Sequence, residues 1–267
     1  MSTRSYKQIL ITGILALLLT GSIWQMMVGA AEEDFPHRAE FPNVSYISTE
    51  DLAAEYDDVI IIDVRSQMEF DVVHILKAIH LPVTVATFVN SLEGIRAKTA
   101  AQKIAFYCNG HTCKKSYEAT QQAIDMGFQN VYVYDAGIFD WIAAHPDKAI
   151  LMGETPVPQE KVITDEAFKA RILSVEEFTK KTEDPNAMVI DIREPFQREV
   201  IPPLAQIRNI PLDRLIEILK EGQFKDKELL IFDAVGKQVN WLQYHLEEKG
   251  YNNYFFLKKG VTAFEKK

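Results

Sequence analysis

Cys108 closes the apolar run Ile104-Ala105-Phe106-Tyr107 and opens the polar stretch Asn109-Gly110-His111-Thr112-Cys113-Lys114-Lys115-Ser116, after which an amphipathic helix pattern begins. A thiol set between the end of a strand and the start of a helix meets two influences that favour its thiolate. Loop N–H groups can converge on the sulfur, and the helix presents its positive end. Lys114 and Lys115 add positive charge at the same mouth, and cations at a helix start oppose the dipole, so the pair is read as drawing an anion. The chain has 2 cysteines, and both lie in this loop. A bridge between them would close too short a loop to constrain the unfolded chain much, so sulfur or redox chemistry explains the pair better than stabilisation does.

A free cysteine is ordinarily a small buried hydrophobe. A polar, Gly-containing, basic loop is not that setting, and Cys108 is the candidate nucleophile. Cys113 keeps three open roles: inert, resolving partner in a disulfide with Cys108, or sulfur relay. Asn109, Gly110, His111, Thr112, Lys114 and Lys115 form the candidate substrate-binding set, with His111 read as a polar loop tip rather than a base. The 6 histidines show no paired ligand spacing, so neither a metal site nor a cofactor is expected.

The elements that would position this loop occur twice. Val59-Ile60-Ile61-Ile62-Asp63-Val64-Arg65 returns as Met188-Val189-Ile190-Asp191-Ile192-Arg193, and Gly127-Phe128-Gln129-Asn130-Val131-Tyr132-Val133-Tyr134 returns as Gly250-Tyr251-Asn252-Asn253-Tyr254-Phe255-Phe256-Leu257. Continuous apolar runs of this kind fill the centre of a parallel sheet. Ser48-Thr49-Glu50-Asp51-Leu52 matches Ser174-Val175-Glu176-Glu177-Phe178, each a Ser-capped helix start with an acidic residue at the third helical position. Strand and helix alternate in both copies, with glycine stops at Gly127 and Gly250. The expected fold class is α/β, two tandem domains, each a mainly parallel sheet with helices on both faces. The first domain is placed at 44–150, a Pro-bearing linker at 151–167 and the second domain at 168–267.

A chain of 267 residues with 47% hydrophobic content can build a core in each copy. A formal charge of −9 and the lack of a basic stripe argue against nucleic-acid binding. Arg4 and Lys7 precede an apolar stretch from Ile9 to Val28, followed by Gly29-Ala30-Ala31 and the acidic Glu32-Glu33-Asp34. Residues 1–30 therefore read as an export signal, with Val28 and Ala30 fitting the small-residue cleavage pattern. The apolar stretch, about 20 residues, is also long enough to span a bilayer, so membrane anchoring through residues 9–28 is the alternative. On either reading the folded part is exported, periplasmic or membrane-anchored facing the periplasm.

With these residues in view, the chain resembles the rhodanese family of sulfurtransferases in tandem form. In the first copy the resemblance rests on Asp63-Val64-Arg65, Glu69-Phe70, His74-Ile75-Leu76-Lys77-Ala78-Ile79-His80-Leu81-Pro82, Cys108 and Gly137-Ile138-Phe139-Asp140-Trp141. Val73 and Lys77 replace two family glycines, and the family loop, which commonly ends in Arg-Ser, here carries a second cysteine and reaches Ser116 through two lysines. In the second copy Leu229-Leu230-Ile231-Phe232 leads to Asp233 where a rhodanese holds its cysteine, and Pro203-Leu204-Ala205-Gln206-Ile207-Arg208 replaces the His-Ile-x-Gly-Ala stretch. An aspartate cannot carry sulfane sulfur, so the second domain is read as non-catalytic.

The resemblance implies a two-step transfer. The Cys108 thiolate takes the outer sulfur of thiosulfate or of a persulfide, and the bound persulfide then passes it to a thiol or protein acceptor. Loop N–H groups from Asn109 to Lys114 would hold the persulfide and the anionic donor. Asp63 and Arg65 are expected to organise the loop and Trp141 to pack. A thiol-disulfide redox protein using Cys108 and Cys113 is the alternative function. Cysteine phosphatases of related fold want an arginine closing the loop, where Lys114 stands here.

Overall fold

The apolar runs become strands buried from both sides, as their lack of alternation requires. The computed structural model describes residues 34–98 and 102–265. The chain separates into two units, Met1–Val157 and Pro158–Lys267. The expected export signal, 1–30, lies outside the described residues, and among those described no helix is long and apolar enough to cross a membrane.

In the first unit the order is α1 (Thr49–Ala54), β1 (Ile60–Asp63), α2 (Gln67–Val72), β2 (Val73–Ile75), β3 (Ile79–His80), α3 (Phe88–Lys98), β4 (Ile104–Tyr107), α4 (Lys115–Asp125), β5 (Val131–Tyr134), α5 (Gly137–Ala144) and β6 (Ala149–Leu151). Four strands form a parallel sheet in the order β3-β1-β4-β5, with Ile62 opposite Phe106 and Phe106 opposite Val133. The short β2 and β6 pair antiparallel beside it. On one face Ile62, Ile104 and Phe106 pack with Phe88 and Leu92 of α3 and Ala119 and Ala123 of α4. Strand residues alternate sides, so Ala105 and Tyr107 turn to the other face. There Trp141 of α5 is fully buried, lies against the rings of Tyr134 and Tyr56, and donates its indole N–H to the Lys148 carbonyl at 3.0 Å.

The second unit repeats the plan with α6 (Asp165–Lys169), β7 (Ile172–Leu173), α7 (Val175–Lys181), β8 (Ala187–Asp191), β9 (Arg208–Asn209), α8 (Leu212–Lys220), β10 (Glu228–Phe232), α9 (Gln238–Glu248) and β11 (Tyr254–Leu257). Its sheet is parallel in the order β7-β11-β10-β8-β9. The stretch that departs from the first copy still delivers β9 to the edge of β8, pairing Asp191 with Asn209.

The helix ends follow the sequence signals. Ser48 and Ser174 cap α1 and α7, and at Ser174 the Glu177 carboxylate returns the bond to the cap N–H, a capping box. Gly127 and Gly250 stop α4 and α9 with φ of 80° and 72°. At each stop two amides reach back over the last turn, Gly127 to Ile124 and Phe128 to Ala123, Gly250 to Glu247 and Tyr251 to Leu246. The break between units falls inside 151–167, a segment that also carries structure: Leu151 closes β6, and α6 begins at Asp165 under a Thr164 cap.

Candidate active site

β4 ends at Tyr107 and delivers Cys108, 1% exposed, to the top of the sheet, where α4 starts within the next turn of chain. The loop between them curls: the Cys113 N–H donates to the Gly110 carbonyl at 2.8 Å, which brings Cys113 back over Cys108. The two cysteines are joined in a disulfide with Cα atoms 6.2 Å apart. Cys113 packs against the same apolar cluster that buries Cys108. Of the three roles open to Cys113, a bond to Cys108 is the one a resolving partner requires.

The loop rests on the turn after β5. The Ile138 N–H donates to the Cys108 carbonyl at 3.1 Å. Gly137 has φ of 74°, and a Cβ there would lie 2.4 Å from the Gly110 nitrogen and 2.6 Å from the Asn109 carbonyl carbon. Only glycine combines this left-handed backbone with such close approach.

Asn109 is locked from both ends. Its Oδ1 accepts from Arg65 Nη1 at 3.1 Å, and its Nδ2 donates to Glu69 Oε1 at 2.7 Å. Arg65 is itself fully buried, bonded through Nε and Nη2 to the Asp63 carboxylate, with Nη2 also on the Val73 carbonyl. Burial opposes its charge, but the Asp63 carboxylate outweighs burial and leaves the guanidinium more basic than usual. Glu69 lies beneath the loop and takes bonds from the Ser66 hydroxyl and amide at 2.7 and 3.0 Å. Burial alone would raise its carboxyl; the Ser66 and Asn109 bonds and the Lys115 ammonium, 4.0 Å away, prevail and hold it below the usual range.

The Asp63–Arg65 arrangement recurs at Asp191–Arg193. Arg193 is likewise buried, its N–H and Nε on Asp191 Oδ1 at 3.0 Å and its Nη2 on the carboxylate and on the Val200 carbonyl. Since the second unit has no cysteine, the pair's work there is to hold the strand end and its following loop. The same work explains it beneath Cys108.

A segment ahead of the expected domain start lies across the loop. Phe35 stacks on the His111 ring at 4.3 Å, His37 Nε2 donates to the Thr112 carbonyl at 3.2 Å, and Glu40 takes the Lys114 ammonium. Arg38 is bidentate on Asp135 at 2.8 and 3.1 Å, where the Tyr117 hydroxyl also donates, and its guanidinium lies over the Phe35 and Tyr46 rings. Hydrogen bonding to Glu40 raises the Lys114 ammonium, and the reciprocal bond lowers the Glu40 carboxyl. His111 is further fixed by Asp140, Nε2 to Oδ2 3.0 Å. Thus Cys108 and Cys113 are brought together, Asn109 and Gly110 are structural anchors of the loop, Thr112 is its exposed tip, and both lysines face carboxylates of the chain itself.

In the second unit Asp233 stands at the cysteine's position, 1% exposed. Its carboxylate accepts backbone N–H bonds from Gly236, from Gln238 at 2.6 Å and from Val239 at 3.3 Å. Gly260 closes against it as Gly137 does against Asn109, for a Cβ there would lie 2.4 Å from the Asp233 carbonyl oxygen. One loop amide and two amides of the first turn of α9 therefore converge on a negative charge fixed at this position.

A model of the rhodanese-like domain matches residues 48–144 and 174–267. The chain belongs to the rhodanese-like family. The first match contains Cys108 and its whole loop, the second contains Asp233. Thiosulfate:glutathione sulfurtransferase of Saccharomyces cerevisiae is 27% identical over 138 residues, covering 47% of this chain and 98% of the yeast protein. Among solved structures, thiosulfate sulfurtransferase from Pseudomonas aeruginosa aligns at 20% identity with a TM-score of 0.37, over 82% of this chain and 42% of that one. The As-Sb reductase from Leishmania major aligns at 18% identity with a TM-score of 0.36, over 40% of this chain and 86% of that one.

Several residues at this rhodanese-like site carried no functional signal in sequence. Glu69 has no assigned role in sequence: it stands there in the Glu69-Phe70 pair of the family resemblance and as the fourth member of a Ser66-x-x-Glu69 capping box, which the structure contains. Phe35, His37 and Glu40 are separated from the loop in sequence and meet it only in the fold, as Arg38 meets Asp135.

Proposed function

We propose that the chain is an extracytoplasmic sulfurtransferase in which reduced Cys108 takes sulfane sulfur from a small sulfur anion, thiosulfate in the first instance, or from a persulfide, and passes it to a thiol acceptor. The observation that carries this reading is the position of Cys108 inside the first rhodanese-like match, buried at the end of β4 and at the start of α4. The amides of Gly236 and of the first turn of α9 gathered on Asp233 support it, because they indicate that this strand-to-helix connection stabilises an anion at the nucleophile's position. The name of the yeast relative supports thiosulfate and glutathione as the first donor and acceptor to try.

In the proposed cycle the Cys108 thiolate attacks the outer sulfur of thiosulfate, the S–S bond breaks, and sulfite leaves with its electron pair. An acceptor thiolate then attacks the terminal sulfur of the persulfide and restores the Cys108 thiolate. Asn109, held by Arg65 and Glu69, is a positioning residue for the loop. The residue pattern of 1–30 supports export to the periplasmic side, by cleavage or as an anchor. The test is sulfite release from thiosulfate in the presence of glutathione, with Cys108→Ser as the variant that must lose it. A second reading, thiol-disulfide exchange, is favoured by the Cys108–Cys113 bond and predicts disulfide turnover without sulfite.

A further inference from the structure

We infer that Cys113 discharges the Cys108 persulfide as hydrosulfide when no outside acceptor takes the sulfur, an inference that rests on the sulfurtransferase reading. Cys113 is bonded to the Sγ atom of Cys108. In a persulfide that atom is the inner sulfur, and the transferable sulfur lies one bond further out. A thiolate placed to bond Sγ attacks the inner sulfur and expels the terminal one, whereas a relay would need Cys113 to reach the outer atom. The Cα separation of 6.2 Å falls in the range a disulfide demands, so the loop is already shaped for the product.

The step balances without an added reagent. Protonated persulfide and Cys113 thiolate give the Cys108–Cys113 disulfide and hydrosulfide; the bond from Sγ to the terminal sulfur breaks, the bond from Sγ to Cys113 forms, and the electron pair leaves with the terminal sulfur. The Cys113 sulfur is oxidised and the terminal sulfur is reduced. Reopening the disulfide then calls for a dithiol reductant.

Two further observations favour the internal route. The Cys113 N–H bond to Gly110 and the packing of Cys113 on the cluster around Cys108 hold the attacking sulfur close, which makes the step effectively unimolecular. Cys108 is 1% exposed, and Phe35, His37 and Glu40 lie over His111, Thr112 and Lys114, so an outside thiol has a narrow approach.

The experiment uses the whole chain, reduced with a dithiol, freed of it, and mixed with excess thiosulfate and no other thiol. Sulfite, hydrosulfide and the intact protein mass are measured. The wild type is expected to release one equivalent each of sulfite and hydrosulfide, to end as the disulfide, and to resume only after dithiothreitol is added. Cys113→Ser, with Cys113→Ala as the second variant, is expected to release one equivalent of sulfite and no hydrosulfide, and to keep the mass of one extra sulfur on Cys108. Wild-type protein that retains the extra sulfur, or that carries it on Cys113, overturns the inference and leaves the sulfurtransferase reading intact. No sulfite from the wild type or from either variant overturns the reading itself.

Discussion

Gly137→Ala tests how the Cys108 loop is held. The new Cβ would meet the Gly110 nitrogen at 2.4 Å, the Gly110 Cα at 2.5 Å and the Asn109 carbonyl carbon at 2.6 Å, all of them backbone atoms. Ordinary carbon contacts lie near 3.5 Å, so the loop must retreat by roughly 1 Å. Holding φ of 74° with a side chain costs about 1–2 kcal/mol, and overpacking typically adds about 1–3 kcal/mol. The expected loss is therefore about 2–5 kcal/mol of local stability, together with a fall in sulfite release that reaches ~100-fold if the nucleophile shifts by the full distance. Gly127→Ala is the control, since its φ is 80° but nothing lies within 4 Å of its added Cβ. It should lose about 1–2 kcal/mol from the backbone term alone and keep its chemistry. Hydrogen exchange across 104–125 reports the stability, with the second unit as an internal reference, and a stopped thiosulfate reaction reports the sulfite. A Gly137→Ala variant that exchanges and reacts as Gly127→Ala does would refute the close-packing argument.

Asp233→Ala should leave sulfite release unchanged while raising hydrogen exchange in the Asp233–Val239 loop, because three backbone donors lose their acceptor at about 1–3 kcal/mol apiece before water enters. Replacing Lys114 and Lys115 together with Gln should slow the thiosulfate reaction by no more than about fivefold, the scale of an exposed ion pair, since Glu40 and Glu69 already face these ammonium groups; a far larger loss would mean that they turn to the donor. Glu69 has a lowered carboxyl, so its stabilisation is complete above the ordinary value of about 4.3 and is lost as pH falls through its lower folded value. Acid unfolding of wild type against Glu69→Gln should accordingly show a stability gap at neutral pH that closes in acid.

The repeat was legible because its signals are local. A continuous apolar run, a serine cap with an acid at the third position and a glycine stop each act within a few residues, and at Ile60–Asp63, Ser174 and Gly250 the structure forms the elements they specify. Cys108 was legible for the same reason, as a cysteine between a strand pattern and a helix pattern. What escaped were contacts between distant segments. Residues 35–41 fall ahead of a first domain placed from 44, yet Arg38 reaches Asp135 and Glu40 reaches Lys114. The lysine pair read as drawing an outside anion because the carboxylates that face it, Glu40 and Glu69, are 74 residues away for Lys114 and on another helix for Lys115. Asp233 read as a lost nucleophile; that its carboxylate gathers the Gly236 amide and two amides of the first turn of α9 depends on how the loop curves into the helix, which residue types do not encode.

The most direct test of the central claim is the mass of the reduced Cys113→Ser chain after exposure to thiosulfate, with the site of any adduct mapped by fragmentation. Removing Cys113 stops the persulfide from being resolved within the loop, so the cysteine that accepts sulfur keeps it. The account predicts a gain of one sulfur atom on Cys108, reversed by glutathione, with sulfite appearing in equal amount. An unmodified Cys108 thiol and no sulfite, in a chain whose hydrogen exchange across β4 and α4 matches the wild type, would contradict it.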